Sequence, residues 1–253
     1  MPRIASLAPI AGLFASVTAA FLLACFATPG RAGDEVCLSD PMDFAGGPIS
    51  GCLAPKDAEQ LMDRALTGGA RGFDGVSLTD PADGSQRREV HTCREYEAAI
   101  HDGWFAQSTV DMTAESFFKR NCGFLHAVAH ARAARTSFLS VPLVGLANLD
   151  LVRAQTISEL VPEASGSIQS LLDAGAVSID ARGARRIEVS TKNATATLVE
   201  IGRGDFDGDG YEDLFTLLVI HAKGGTMRSY QTLLLSRHSA DGMFDVKPLS
   251  LDG

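Results

Sequence analysis

The stretch that decides the fold reads Asp205-Phe-Asp-Gly-Asp-Gly-Tyr-Glu-Asp213 and continues as Leu214-Phe-Thr-Leu-Leu-Val-Ile220. Its second part is almost continuously apolar, which is typical of a strand at the centre of a sheet. Its first part is acidic and rich in glycine, as in a turn between strands. We therefore predict a central strand that enters the sheet directly from an acidic loop.

Further runs rich in β-branched and apolar residues lie on both sides of this stretch. Together with the central strand, the predicted strands are Arg186 to Thr191, Thr195 to Ile201, Leu214 to Ala222, Met227 to Ser236 and Met243 to Pro248. Turn-like dipeptides separate them, and short connections favour antiparallel neighbours. Residues 185–253 are thus predicted to form an antiparallel β-meander that carries the acidic loop 205–213.

Residues 33–180 show helical spacing of apolar side chains instead. We expect helices at Pro55 to Leu66, Thr92 to His101 and Asp111 to Ala134, with weaker pieces at Ala147 to Val152 and Ser167 to Ala174. Residues 33–55 and 68–86 are rich in Gly, Pro and Asp and are expected to be loops. The expected fold class is α+β, with a disulfide-tied helical N-terminal half followed by the C-terminal meander.

The N-terminal segment Met1 to Ala32 has an early Arg3, a long apolar run and a small-residue end, which is the layout of a secretory signal peptide. A retained anchor helix is the alternative for this run. Two cleavage sites compete, because Leu22-Leu23-Ala24-Cys25 also resembles a bacterial lipobox, with a lipid on Cys25. We expect export to the periplasm or cell envelope, in soluble or lipid-anchored form.

Four cysteines remain after Cys25, namely Cys37, Cys52, Cys93 and Cys122. An even number suits two disulfides in an oxidising compartment, and four cysteines allow three connectivities. We predict the pairs Cys37 with Cys52 and Cys93 with Cys122, because each closes a short segment. No two of them have the C-x₂-C spacing of structural zinc sites.

The charge of the chain excludes one class of partner. Its 253 residues carry a formal charge of -9, and loss of Arg3 and Arg31 with the signal peptide takes this to -11. Such a surface repels nucleic acid and anionic lipid, and no basic stripe offsets it. We expect no nucleic-acid partner and no membrane contact except through the alternative lipid on Cys25. A protein or another envelope component is the partner class that remains.

The acidic loop has the residue types and spacing of a calcium site. Calcium prefers six to eight oxygen ligands, which carboxylates at every second residue can supply. Asp205, Asp207 and Asp209 have this spacing, Gly210 allows the sharp turn, and Tyr211 can offer its carbonyl oxygen. An EF-hand needs a Glu at position twelve, where Thr216 stands. Asp213, at position nine, is the better candidate for the closing ligand.

The sequence Gly204-Asp-Phe-Asp-Gly-Asp-Gly-Tyr-Glu-Asp-Leu214 resembles the strand-loop-strand calcium motif of FG-GAP and VCBS-type repeats in secreted and integrin-like proteins. The resemblance implies calcium ligation by Asp205, Asp207, Asp209 and Asp213. It covers the loop and its flanking strands and nothing upstream. Because the chain has one copy, a β-propeller is not implied.

A second candidate site lies on the longest predicted helix, where His126 and His130 are four residues apart and share a face. Zincin metalloproteases have Glu directly after the first His, and here Ala127 stands there. No catalytic residue is assigned. We expect an exported binding or structural module with one structural calcium loop, and an exported metal-dependent hydrolase with a site in the helical half is the alternative.

Overall fold

The structure is a computed structural model, and it describes residues 35–68, 72, 74–140, 144–225 and 227–249. The expected signal peptide and the lipobox at Cys25 lie outside the described residues. Within the described part of the chain, no helix is both long and apolar enough to cross a membrane.

The described residues form twelve strands, four α-helices and one 3₁₀-helix. The strands are β1 Val36–Leu38, β2 Met42–Phe44, β3 Gly47–Ile49, β4 Cys52–Leu53, β5 Val76–Thr79, β6 Arg87–Val90, β7 Ser178–Arg182, β8 Arg186–Ser190, β9 Ala194–Gly204, β10 Asp213–Ala222, β11 Arg228–Ser236 and β12 Asp245–Leu249. The helices are α1 Pro55–Leu61, α2 Cys93–His101, α3 Thr109–His130 and α4 Ile168–Asp173, and the 3₁₀-helix is Ala154–Ile157.

Eight of the strands form one antiparallel sheet built around β9 and β10. β9 pairs with β10 along one edge and, along its other edge, with β8 and then β1. The sheet continues from β10 through β11 to β12, while β4 pairs with β1 and β7 with β8. The hairpins β2-β3 and β5-β6 lie outside this sheet.

Both faces of the central strand β10 pack against apolar residues, because its alternate side chains enter two separate apolar clusters. Phe215 and Leu217 pack in a cluster with α3 and the N-terminal region. Leu214 and Leu218 pack in the other cluster, with residues between Leu139 and Val177. Burial on both faces explains the continuous apolar run of this strand.

The expected fold class is wrong in its N-terminal half, which is not a helical region followed by a separate meander. The protein is mostly antiparallel sheet, and six short strands lie before α2. Residues 33–55 and 68–86, expected to be loops, contain β1 to β5. Strands of two to four residues are too short to show the alternation that identifies a strand in a sequence.

The other elements agree with the sequence more closely. All five predicted strands are present with ends shifted by up to three residues, and helices are present near Pro55, Thr92, Asp111 and Ser167. The first and third of these helices end earlier than predicted, at Leu61 and His130. The predicted piece at 147–152 is wrong, since it forms turns, and β7 was not predicted. The Ser108 hydroxyl accepts the Asp111 N–H and thereby begins α3 two residues early.

Both predicted disulfides are confirmed. Cys37 and Cys52 are directly opposite each other on β1 and β4, and the bond links this strand pair. Cys93, at the start of α2, is joined to Cys122 in the middle of α3. Two disulfides indicate an oxidising environment.

Candidate metal centre

The acidic loop connects β9 to β10 and rests on the segment that follows α3. The Arg132 N–H donates to the Asp205 carbonyl at 2.9 Å, and the Arg135 N–H donates to the Gly210 carbonyl at 2.8 Å. In the opposite direction, the Glu212 N–H of the loop donates to the Thr136 carbonyl at 3.0 Å. The loop is therefore held by backbone bonds along its length, which limits its freedom to collapse.

Asp205 organises the turn from inside. It is 1% exposed, and its two carboxylate oxygens accept the N–H groups of Gly208 at 2.8 Å and Gly210 at 2.9 Å. Gly210 has φ +92°, a conformation that residues with a Cβ rarely adopt. A Cβ there would also lie 2.6 Å from the Arg135 guanidinium. The sharp turn predicted at Gly210 is thus confirmed.

Asp207 and Asp209 also accept a backbone N–H of the loop, each with one carboxylate oxygen, and the other oxygen of each contacts a side chain from elsewhere in the fold. Asp207 Oδ1 accepts the Asp209 N–H at 3.2 Å, and Asp209 Oδ1 accepts the Tyr211 N–H at 2.8 Å. Ligand oxygens of Asp205, Asp207 and Asp209 all lie within 4.8 Å of one another. The sequence predicted that these three side chains would converge, and their arrangement could hold a metal ion.

Asp213 is the first residue of β10, outside this group of three, and its side chain is fully buried. One of its oxygens accepts the Phe206 N–H at 3.0 Å, while Oδ1 has no hydrogen bond. Burial raises the pKa of Asp213 to about 6, the nearby Ser236 hydroxyl and the Phe206 N–H lower it in part, and the charges of Asp207 and Asp209 raise it further. A buried carboxylate oxygen without a partner is costly, and a cation would relieve that cost.

A lysine and a histidine that the sequence did not point to contact the outward oxygens of the loop. Lys247 of β12 forms an ion pair with Asp207, and His238 Nε2 lies 2.8 Å from Asp209 Oδ2. Hydrogen bonds to these carboxylates raise the pKa of Lys247 and of His238. No sequence signal connects these residues to the loop. His238 is 29 positions from Asp209 and Lys247 is 40 positions from Asp207, and strand pairing brings them together.

Tyr211 contributes to the loop through its ring and its N–H. The ring stacks on Phe138 with centroids 5.9 Å apart, and it meets the His238 ring edge-on at 5.0 Å. Ligation through the Tyr211 carbonyl stays a prediction. Thr216, at the position where an EF-hand has its Glu, is fully buried within β10.

The second candidate pair, His126 and His130, lies near the end of α3 with ring centroids 4.5 Å apart. His126 Nδ1 is 3.2 Å from Glu97 Oε1, and His130 Nδ1 is 2.8 Å from the His126 carbonyl oxygen. Among the described residues, Asp205, Asp207 and Asp209 are the one group of three metal-binding side chains whose ligand atoms converge. The two histidines are therefore neighbours without a third converging ligand in the described part of the chain.

Comparison of the whole chain with protein-family models, with curated proteins and with solved structures found no significant match. Function is therefore inferred from the chemistry of the loop and from the arrangement of the fold around it.

Proposed function

We propose that this protein is an exported binding or structural module of the cell envelope, and that its acidic loop binds Ca²⁺ to stabilise the fold. The proposal depends on one observation. The carboxylate oxygens of Asp205, Asp207 and Asp209 converge within 4.8 Å of one another on a loop that backbone hydrogen bonds hold in place. Like charges held this close repel one another unless a cation offsets them.

The donor set supports calcium over other metals. The converging atoms are carboxylate oxygens, the hard ligands that Ca²⁺ prefers, and no cysteine or histidine belongs to the group of three. The resemblance of Gly204 to Leu214 to FG-GAP and VCBS-type loops agrees with this choice. The unpaired oxygen of Asp213, where the loop enters β10, is the further ligand we propose.

The loop's position explains why a bound ion would act on stability. β9 and β10 form the most extensive strand pair of the sheet, and the loop joins their ends to the segment after α3. An ion there would link the sheet to that segment. Lys247 already offsets part of the charge, and His238 does so when it is protonated, so we expect weak binding, in the roughly 10⁻⁴ to 10⁻³ M range of extracellular modules.

Export and the module role rest on separate observations. Two disulfides are the covalent chemistry of an oxidising compartment, and the N-terminal sequence has the layout of a signal peptide. A protein or another envelope component is the partner class we propose, because the acidic surface opposes binding to nucleic acid.

Calcium-dependent unfolding tests the proposal. We would compare the melting temperature of the purified oxidised protein in chelator, in millimolar Ca²⁺ and in millimolar Mg²⁺. At 10 times its dissociation constant, which millimolar Ca²⁺ reaches for a constant of roughly 10⁻⁴ M, Ca²⁺ stabilises by about 1.4 kcal/mol and raises the melting temperature of a domain of this size by roughly 3 to 6 °C. Asp207→Ala should lose this gain. Asp150→Ala removes an exposed carboxylate far along the chain from the loop and should keep it.

A melting temperature that Ca²⁺ leaves unchanged would contradict the proposal. An equal gain in Asp207→Ala and wild type would show that the ion binds elsewhere. An equal response to Mg²⁺ would remove the case for calcium.

A further inference from the structure

A groove of about 470 Å³ lies between α3 and the sheet, and none of the acidic loop's carboxylates lines it. Val199, Leu217, Val219 and Tyr230 line it from three neighbouring strands, β9 to β11. Phe117 lines it from α3. This volume is within the range of small-molecule sites.

The floor of the groove is an apolar surface that α3 leaves partly uncovered. Val199 and Val219 belong to the two central strands of the sheet, yet both are only half-buried. A central strand normally has its apolar side chains covered. On the helix side of the groove, the hydroxyls of Thr113 and Ser116 are already hydrogen-bonded, because both donate to backbone carbonyls of α3 itself.

Three arginines surround this apolar floor, and they differ in their partners. Arg120 lies 3.9 Å from Asp40, and Arg186 pairs with Glu188 at 2.9 Å. Arg228 has no carboxylate of the described residues within ion-pair distance, and Tyr230 lies two residues along the same strand face. In a chain of charge -9, an exposed cation without a carboxylate partner beside an apolar groove can attract an anion.

We propose that this groove binds a single-chain aliphatic carboxylate, with its head group on Arg228 and Tyr230 and its chain over Val219 toward Phe117. Tyr230 is paired directly with Val219 across the strands, so the head-group site leads onto the apolar floor without a break. The guanidinium offers a charge-assisted hydrogen bond to a carboxylate, and the floor buries methylene groups. The chain's acidic surface disfavours the alternative of a docked anionic membrane.

This inference does not rest on the calcium loop. Titration calorimetry in chelator with dodecanoate below its micelle concentration tests it, on wild type and on Asp207→Ala, so that the result does not depend on whether the loop binds calcium. We expect one dodecanoate per protein, and no comparable binding of dodecyltrimethylammonium, which has the same chain and the opposite charge. Octanoate should bind more weakly because it buries fewer methylene groups.

Two substitutions in the same groove locate the head group. Arg228→Gln should weaken dodecanoate binding by about tenfold or more, as expected for loss of one charge-assisted hydrogen bond. Arg186→Gln removes the same charge, but its guanidinium is already paired with Glu188, so the loss should be less than about threefold. Lys56→Gln, on the exposed side of α1, controls for net charge and should have no effect.

Absence of dodecanoate binding would overturn the proposal. Equal losses in Arg186→Gln and Arg228→Gln would overturn the placement of the head group. Equal binding of dodecyltrimethylammonium would show a merely apolar patch. Binding to phosphatidylglycerol vesicles without binding of monomeric dodecanoate would assign the surface to membranes and overturn the proposal of a free ligand.

Discussion

Replacement of Asp213 by Asn is expected to stabilise the metal-free protein and to remove its response to calcium. The side chain is fully buried, and its Oδ1 has no hydrogen bond. Asn has the same shape and keeps an acceptor for the Phe206 N–H. Its amide can also donate to Ser236 Oγ, which lies directly opposite on β11 and in wild type lowers the Asp213 pKa in part.

The magnitude follows from the cost of ionising this carboxyl in the fold. Burial raises its pKa from 3.8 to about 6. Each pKa unit is worth about 1.36 kcal/mol, so the ionised Asp213 destabilises the metal-free protein by about 3 kcal/mol, as an upper value. The sign is set by the raised pKa, because the folded state binds the proton more tightly than the unfolded state. Wild-type stability from this group is therefore full below pH 3.8 and declines as pH rises to about 6.

Urea unfolding in chelator, followed by circular dichroism at several pH values, measures this difference. The Asp213→Asn variant and wild type should be close in stability near pH 4, and the variant should be more stable by about 1 to 3 kcal/mol at pH 7.5. In saturating Ca²⁺ the difference in stability between the variant and wild type should narrow or reverse. Wild type gains about 2.7 kcal/mol at 100 times its dissociation constant, whereas the variant lacks a ligand.

Two results would refute this reasoning. A variant that is less stable than wild type in chelator at pH 7.5 would show that the carboxylate is favourably paired in the fold without metal. A variant that keeps the full calcium response would show that Asp213 is not a ligand. In either case the slope of unfolding with urea must be unchanged, since a changed slope means that the compactness of one state has altered.

Two further substitutions and the opening of one disulfide test the surroundings of the loop and the core. Lys247→Met should raise calcium affinity about two- to fivefold, because the ammonium group competes with the ion for Asp207. A calcium titration measures this affinity, with Lys56→Met as the control. A lower affinity in Lys247→Met would mean that Lys247 supports the loop instead. Opening the Cys93–Cys122 disulfide, which spans 29 residues, should cost about 3.5 kcal/mol in urea unfolding, and a loss under about 1 kcal/mol would contradict the chain-entropy account. The Glu97 carboxylate, 3.2 Å from His126 Nδ1, raises the pKa of His126, so the stability that this pair contributes is present below pH 6.5 and is lost as pH rises through the raised pKa. Glu97→Gln should flatten the pH dependence of the urea midpoint in that window, and an unchanged profile would exclude this pair as its source.

The sequence was sufficient for the features that depend on local spacing. The alternate aspartates of the loop predicted the convergence of Asp205, Asp207 and Asp209, since a tight turn brings every second side chain to one side. The long apolar run predicted β10, and the short separations between cysteines predicted both disulfides. Each of these signals lies within about 30 residues of chain.

The tertiary structure alone decided the features that join distant parts of the chain. β1 enters the sheet by pairing Cys37 with Arg203. A strand of three residues has too little periodicity for the sequence to predict either the strand or its partner. Lys247 and His238 reach the loop only because β11 and β12 add to the β10 edge. The groove beside Arg228 likewise exists because α3 covers part of one sheet face and leaves Val219 half-covered. Local propensity acts over a few residues, whereas strand pairing and helix placement are settled by which surfaces can be buried together.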